Sequence, residues 1–369
     1  VSALLMPTIF KAPAQPAAEK PRPAQEIVQA FPANDVTKTA WKVHWSTEAG
    51  PGLIIRSAWF KRDAKTSWLQ VLGDARVAEL FIPYHRGDPR FWDVEQSFSL
   101  CRATAEDAGA HGKLLGDPTE VVWELRDRGV AWVDPKGPRR GQTMVLWATL
   151  SAANYRYIVE FGFQDDGAVT FRLGATGQNY AGAEWEPHMH NNLWRINVAL
   201  GGPAHNSVYV MEHLETPQLA GKAQTVHRPF NGGKEGWLDW NAERFTMLRV
   251  VSDKLKNAQG KPMSYDLMPS RMGNARHYGP GEECVQHDFW VTRNRPGEFK
   301  YKEVLEYAKN RESIMNTDVV LWYSSPAHHE PRSEDGEIRD GSLHGATPVM
   351  WSGFELKPRH VFDRTPLHR

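Results

Sequence analysis

Cysteine is nearly absent: the 369 residues hold two, Cys101 and Cys284. Two thiols cannot build a disulfide framework or a four-cysteine zinc site, and they leave at most one disulfide open. Long apolar runs are missing too. None approaches the roughly 18–20 residues that a membrane-spanning helix needs, so no membrane partner is expected. Neither sign of charge is in excess, with 44 Lys and Arg against 44 Asp and Glu. A balanced chain has no global field to gather nucleic acid or an anionic membrane, and any charge selectivity must be local to a pocket. Helical periodicity is brief and confined to Tyr301–Ala308, and no internal repeat is present. None of this fixes the compartment: a soluble protein, cytoplasmic or periplasmic or secreted, fits equally. The opening Val1–Phe10 is apolar but lacks a basic lead and is broken by Pro7. It reads either as the remnant of a trimmed leader or as a docking segment.

What is present is β-rich. Apolar residues make up 41% and charged residues 24%, enough to bury a sizeable core. Lys11–Glu26 carries four prolines among Ala, Lys, Gln and Glu, so residues 1–40 are expected to be an extended lead-in. From Trp41 onward, short runs of Trp, Tyr, Phe, Val and Ile alternate with polar residues and are punctuated by Gly, Pro, Asp and Asn. Tyr155, Tyr157, Val159, Phe161 and Phe163 share one parity. The turn Asp165-Asp166-Gly167 and a second run, Val169–Leu173, follow. Asp-Gly tolerates the positive φ of a tight hairpin. Further strands are expected at Leu193–Leu200, Val208–Leu214, Phe289–Thr292 and Val319–Tyr323. The fold expected over residues 41–369 is mainly β, a large antiparallel sandwich of two packed sheets.

One pattern suggests metal chemistry. His188-Met189-His190 precedes an apolar run. In extended backbone, alternate side chains face the same way about 6.6 Å apart, so two imidazoles can reach one ion. With 15 histidines in the chain such a pair is weak alone. A third ligand is needed, and His328-His329 lies far downstream in what reads as a polar loop.

Several segments together resemble the copper amine oxidase family. Ser151-x-x-Asn154-Tyr155-Arg156-Tyr157 is similar to that family's Asn-Tyr-Asp/Glu-Tyr motif. His188-Met189-His190, with Arg195-Ile196-Asn197, matches its His-x-His pair and following strand. His328-His329-Glu330-Pro331-Arg332-Ser333-Glu334-Asp335 resembles the loop that carries its third histidine. Flanking segments at Phe289–Thr292, Asn316–Tyr323 and Gly353–Pro366 look alike as well, and the likeness runs from about Trp41 to Arg364. It implies a catalytic domain that binds copper through His188, His190 and His329 and converts Tyr155 to topaquinone. The implied activity is oxidation of a primary amine by dioxygen to an aldehyde, with ammonia and hydrogen peroxide released, in a homodimer. Asn154 matches the residue that restrains the quinone ring, and Tyr84 the tyrosine that hydrogen-bonds it.

The catalytic base implied by the resemblance is a carboxylate after Tyr84, and two candidates stay open. Asp107 sits in a segment that looks like the family's. Asp93 fits better on spacing when measured back from Leu114–Asp117. The sequence also departs from the family pattern. Arg156 stands where an acidic residue is usual, and a guanidinium beside the cofactor would favour a substrate bearing an acidic group. The alternative is that Arg156, the strand neighbour of Tyr155, points to the opposite face. A second, calcium-like site would fall at Asn197 and Asp318, where an amide replaces a carboxylate, so it is expected to be weak or empty. These departures also keep a different function in view: a copper protein on the same fold with Tyr155 unmodified, catalysing other small-molecule chemistry.

Overall fold

The computed structural model describes residues 22–32, 38–96, 98–180, 182–215, 223–273, 278–335, 337–339 and 342–364. Val1–Phe10 and most of Lys11–Glu26 lie outside them. Strand formation follows the alternation. In Ala40–Glu48, Trp41, Val43 and Trp45 are buried, while Lys42 and His44 between them are half-buried. The five aromatic and aliphatic residues of one parity in Tyr155–Gln164 all point into the core. That strand pairs with Val169–Gly177 through the expected turn. Gly167 there takes φ +86°, and a Cβ on it would lie 2.9 Å from the Phe60 ring. Both conditions select glycine.

Among the described residues the strands form two large antiparallel sheets. The first runs Gln25–Ala30, Ala40–Glu48, Gly52–Lys61, Leu69–Pro83, His188–Val198, Val319–His329, Phe289–Arg293 and Gly236–Leu238. The second runs Ala223–Pro229, Asn206–Glu215, Met247–Lys256, Pro262–Ser270, Met350–Arg359, Val169–Gly177, Tyr155–Gln164, Gly137–Ala152, Val121–Asp134 and Lys113–Leu115. Their inner faces share one core, in which Trp194 of the first sheet packs on Phe161, Phe171 and Phe354 of the second. The fold is therefore the expected β-sandwich. Gln25–Ala30, inside the stretch read as a lead-in, adds an edge strand to the first sheet.

The outer face of the first sheet is covered by the short helical stretch at Tyr301–Glu303 and Val304–Ala308, where Tyr301 and Tyr307 pack on Trp322. His188–Val198 is consequently buried on both faces. No helix among the described residues is long and apolar enough to cross a membrane. Cys101 and Cys284 are both free thiols, which closes the option of a disulfide between them.

One local expectation is corrected. His329 is not in a loop, because the strand begun at Val319 continues to it. Its second half, Ser324-Ser325-Pro326-Ala327-His328-His329, is poor in strand formers and includes a proline. It is held by full antiparallel pairing with His188–Val198, register His188 to His329 and Asn191 to Pro326. Central position in a sheet overrides weak local propensity.

Candidate metal centre

Register places the histidines. His188 and His329 are direct cross-strand partners, and His190 lies two residues further along the same face of its strand. All three point between the sheets, and all are buried. Among the described residues they form the one group of three or more potential ligands, with a nitrogen from each within 4.8 Å of the others. The facing sheet contributes Tyr155 and Tyr157, whose rings lie 4.9 and 5.8 Å from that of His190. On the other side of the histidine strand, Tyr84 makes an isolated bridge with His188 and stacks on its ring at 4.4 Å.

Each imidazole has a partner on its far nitrogen, and for His188 and His329 that partner is a pure acceptor, which fixes which nitrogen is bare. His188 Nδ1 lies 3.0 Å from the Glu186 carbonyl, so Nδ1–H donates and Nε2 keeps its lone pair. His329 Nε2 lies 2.8 Å from Asp335 Oδ2, which leaves Nδ1 bare. His190 Nδ1 lies 3.1 Å from the Tyr157 hydroxyl, and its Nε2 is buried with no hydrogen-bond partner. The bare nitrogens of His188 and His329 face each other at 3.2 Å. Two acceptors at that distance repel unless a cation or proton lies between them, and 3.2 Å suits two ligands bound at about 2 Å to one ion. A buried orphan nitrogen on the third ring completes a donor set that fits a copper ion, for which imidazole is a preferred ligand.

Electrostatics agree. Burial pushes His188 down to about 3 and holds His190 well below the usual histidine range; neighbouring imidazoles add to both effects. Burial also lowers His329, partly offset by Asp335. Neutral imidazoles are the metal-binding form. Burial works against ionisation of Asp335, but hydrogen bonds from His329 and Arg332 outweigh it and keep the carboxylate below its usual range. The Tyr155 hydroxyl lies 2.8 Å from His329 Nδ1 and 3.3 Å from His188 Nε2, against the bare nitrogens themselves. Burial raises its phenol well above the ordinary tyrosine value. A neutral phenol can donate one hydrogen bond there, and a metal in the cluster would lie beside its ring.

The other candidate residues divide by position. Asp93 opens the short helix Asp93–Gln96 and is buried. Its charge, after burial, helps to raise both Tyr157 and Tyr84. Asp107 is exposed and spent in a capping box with Thr104 on Ala105–Ala108. Asn154 donates from Nδ2 to the Gln178 carbonyl at 2.5 Å and accepts from Gln178 N at 2.9 Å, so its side chain is tied to the edge beside Tyr155. Arg156 is exposed on the opposite face and donates to the carbonyls of Ala153 and Tyr155. The structure does not bring it into the site. Asn197 Nδ2 donates to Asp318 Oδ1 at 2.7 Å, and Asn294 Nδ2 donates to Asp318 Oδ2 at 2.9 Å. Both carboxylate oxygens at that position already accept amide protons. Three contributors were not singled out as site residues. Asp335 had a signal, six residues after His329, and so did Tyr157, which shares the parity of Tyr155. The Glu186 carbonyl had none.

The family model for the copper amine oxidase enzyme domain matches residues 131–369, which include Tyr155 and all three histidines. The chain belongs to the copper amine oxidase family. Copper amine oxidase 1 of Aspergillus niger is 26% identical over 400 residues, covering 88% of this chain and 56% of that protein. Histamine oxidase of Arthrobacter globiformis is 24% identical, covering 90% and 56%. The copper-containing benzylamine oxidase of Hansenula polymorpha superposes with a TM-score of 0.68 at 18% identity over 90% of this chain and 61% of that one. This family member spans about half the length of the curated relatives it matches.

Proposed function

We propose that this copper amine oxidase family member oxidises a primary amine with dioxygen and water to an aldehyde, ammonia and hydrogen peroxide. The observation that carries the reading is the Tyr155 hydroxyl lying within 3.3 Å of two bare imidazole nitrogens in a buried three-histidine cluster. His188, His190 and His329 would hold copper, and Tyr155 would be the precursor of topaquinone. When bound, copper and quinone supply the electron sink for the amine and the route back to dioxygen.

The chain's own residues then have defined tasks. The Glu186 carbonyl and Asp335 hold His188 and His329 in one tautomer each, and the Tyr157 hydroxyl restrains the His190 ring at Nδ1. Asn154, fastened to Gln178, restrains the backbone at the ring. Asp93, buried near Tyr84 and Tyr157, is the carboxylate we assign as base, accepting the α-proton of the amine at a carboxylate oxygen. Asp107 is already engaged as a helix cap and is not assigned that role. Arg156 faces outward, so the substrate is assigned no acidic group through it. Residues 41–369 are read as the enzyme domain, with two copies pairing as the family implies.

Incubation of purified protein with copper and air tests the reading. The expected result is a pink protein that reacts with phenylhydrazine, and a Tyr155→Phe variant that binds copper yet stays colourless and inactive towards primary amines. Colourless, hydrazine-inert native protein with copper bound would instead indicate a copper protein with Tyr155 unmodified.

A further inference from the structure

Tyr155 is the first residue of its strand, and its cross-strand partners on the two sides, Ala152 and Gly177, are both small. On the Gly177 side the approach is closer than a side chain would allow. A Cβ placed on Gly177 would lie 2.5 Å from the Asn154 carbonyl oxygen, 2.7 Å from Tyr155 Cα and 3.2 Å from Tyr155 Cγ. The two shortest of these contacts are to backbone, which cannot swing aside as the tip of a side chain can. Gly177 also takes φ +147°, a conformation that side chains disfavour. The contact is gripped from two directions. Asn154 and Gln178 bind each other twice, through Gln178 N to the Asn154 carbonyl at 2.9 Å and Asn154 Nδ2 to the Gln178 carbonyl at 2.5 Å. From the segment that leads into Met350–Arg359, the buried Thr347 donates its N–H to the Gly177 carbonyl at 2.7 Å. The Thr347 carbonyl in turn accepts from Thr176 Oγ1 at 2.6 Å.

We propose that Gly177 is a positioning residue for Tyr155: its missing side chain lets the root of the Tyr155 ring settle where the hydroxyl reaches both bare imidazole nitrogens, and Thr347 anchors it there. This rests on the reading that Tyr155 is the quinone precursor. A side chain at position 177 must push the two strands apart at Tyr155, and a hydroxyl at 2.8 and 3.3 Å from its two partners then leaves hydrogen-bond reach. The requirement is local. Tyr157, the next residue of the same parity, pairs with Ala175, so the same two strands accommodate a Cβ one step further on. The three histidines stand on the facing sheet and are placed by their own register, so the metal site itself does not depend on Gly177.

Gly177→Ala in the full chain, with Cu(II) and air as the probes, is the direct test. The variant is expected to retain copper in chelator competition but to form phenylhydrazine-titratable quinone about 10²-fold more slowly, because a misplacement of about 1 Å is enough for that. Gly174→Ala, on the same strand but facing the side chains of Val349 and Trp351, is a packing control expected to keep the native rate. Crystals of metal-free Gly177→Ala should show the Tyr155 hydroxyl beyond hydrogen-bond reach of His329 Nδ1. A native rate of quinone formation in Gly177→Ala, an unmoved Tyr155, or equal slowing in both alanine variants would overturn the proposal. Should Gly177→Ala not fold, Thr176→Val, which removes the hydroxyl bond to the Thr347 carbonyl, takes its place: slower quinone formation supports the proposal and a native rate overturns it. Native protein that binds copper yet forms no quinone would instead remove the functional reading, and the metal-free crystals would still decide what holds Tyr155 in place.

Discussion

At the scale of single residues, the copper cluster is built as much by what stands behind the imidazoles as by the imidazoles. Asp335, fully enclosed, accepts from His329 Nε2 and from the Arg332 backbone and guanidinium. Replacing it by Asn keeps the shape but removes the charge that orients His329. Asp335→Asn is expected to weaken copper binding by about 10–100-fold, measured by chelator competition, with Tm little changed. An unchanged dissociation constant would mean that His329 is positioned by packing alone. Asp93 is tested differently, since it is assigned to proton transfer. Asp93→Asn is expected to lower kcat for a primary amine by about 10²–10⁴-fold while phenylhydrazine-titratable quinone still forms. Equal activity in the variant would return the base assignment to the open list.

At the scale of elements, the short helix carrying Asp93 is fastened by a buried acid. Glu79, on Leu69–Pro83, accepts the backbone N–H groups of Leu80 and Val94 at 2.9 Å each. Burial pushes its carboxyl up to about 8, with these two hydrogen bonds working in the opposite direction. The folded chain therefore holds a proton that the unfolded chain releases above its ordinary value near 4.5. Stability from this group is complete below that value and is lost as pH rises towards about 8. Glu79→Gln keeps an acceptor and has no such proton. Urea unfolding at pH 5, 6.5 and 8 should show the variant gaining on the native protein with each step. A constant difference would show that the carboxyl does not stay protonated.

The same elements explain what the sequence disclosed and what it hid. The Tyr155–Gln164 hairpin was legible because one face is core and the parity of Tyr155 to Phe163 is unbroken. The extension of the next histidine-bearing strand to His329 was not. Pro326 lacks a backbone donor, and two serines precede it, so the run reads as loop until its partner strand is known. His188–Val198 gives no alternation either, because both of its faces are covered. Arg156 was legible only as a choice between two faces, and strand geometry resolved it.

At the scale of the whole molecule, two sheets bring together residues from Tyr84 to Asp335 at one end of their shared core. His188 and His329 come from neighbouring strands of one sheet, and Tyr155 and Tyr157 from the other, so the cluster exists only when the sandwich is closed. Crystals grown from protein exposed to copper and air offer the most direct check on that convergence. Electron density should place a single copper ion bonded to His188 Nε2, His190 Nε2 and His329 Nδ1, with additional oxygens on the Tyr155 ring. A metal bound elsewhere, or His329 turned away from the other two beside an unmodified tyrosine, would refute it.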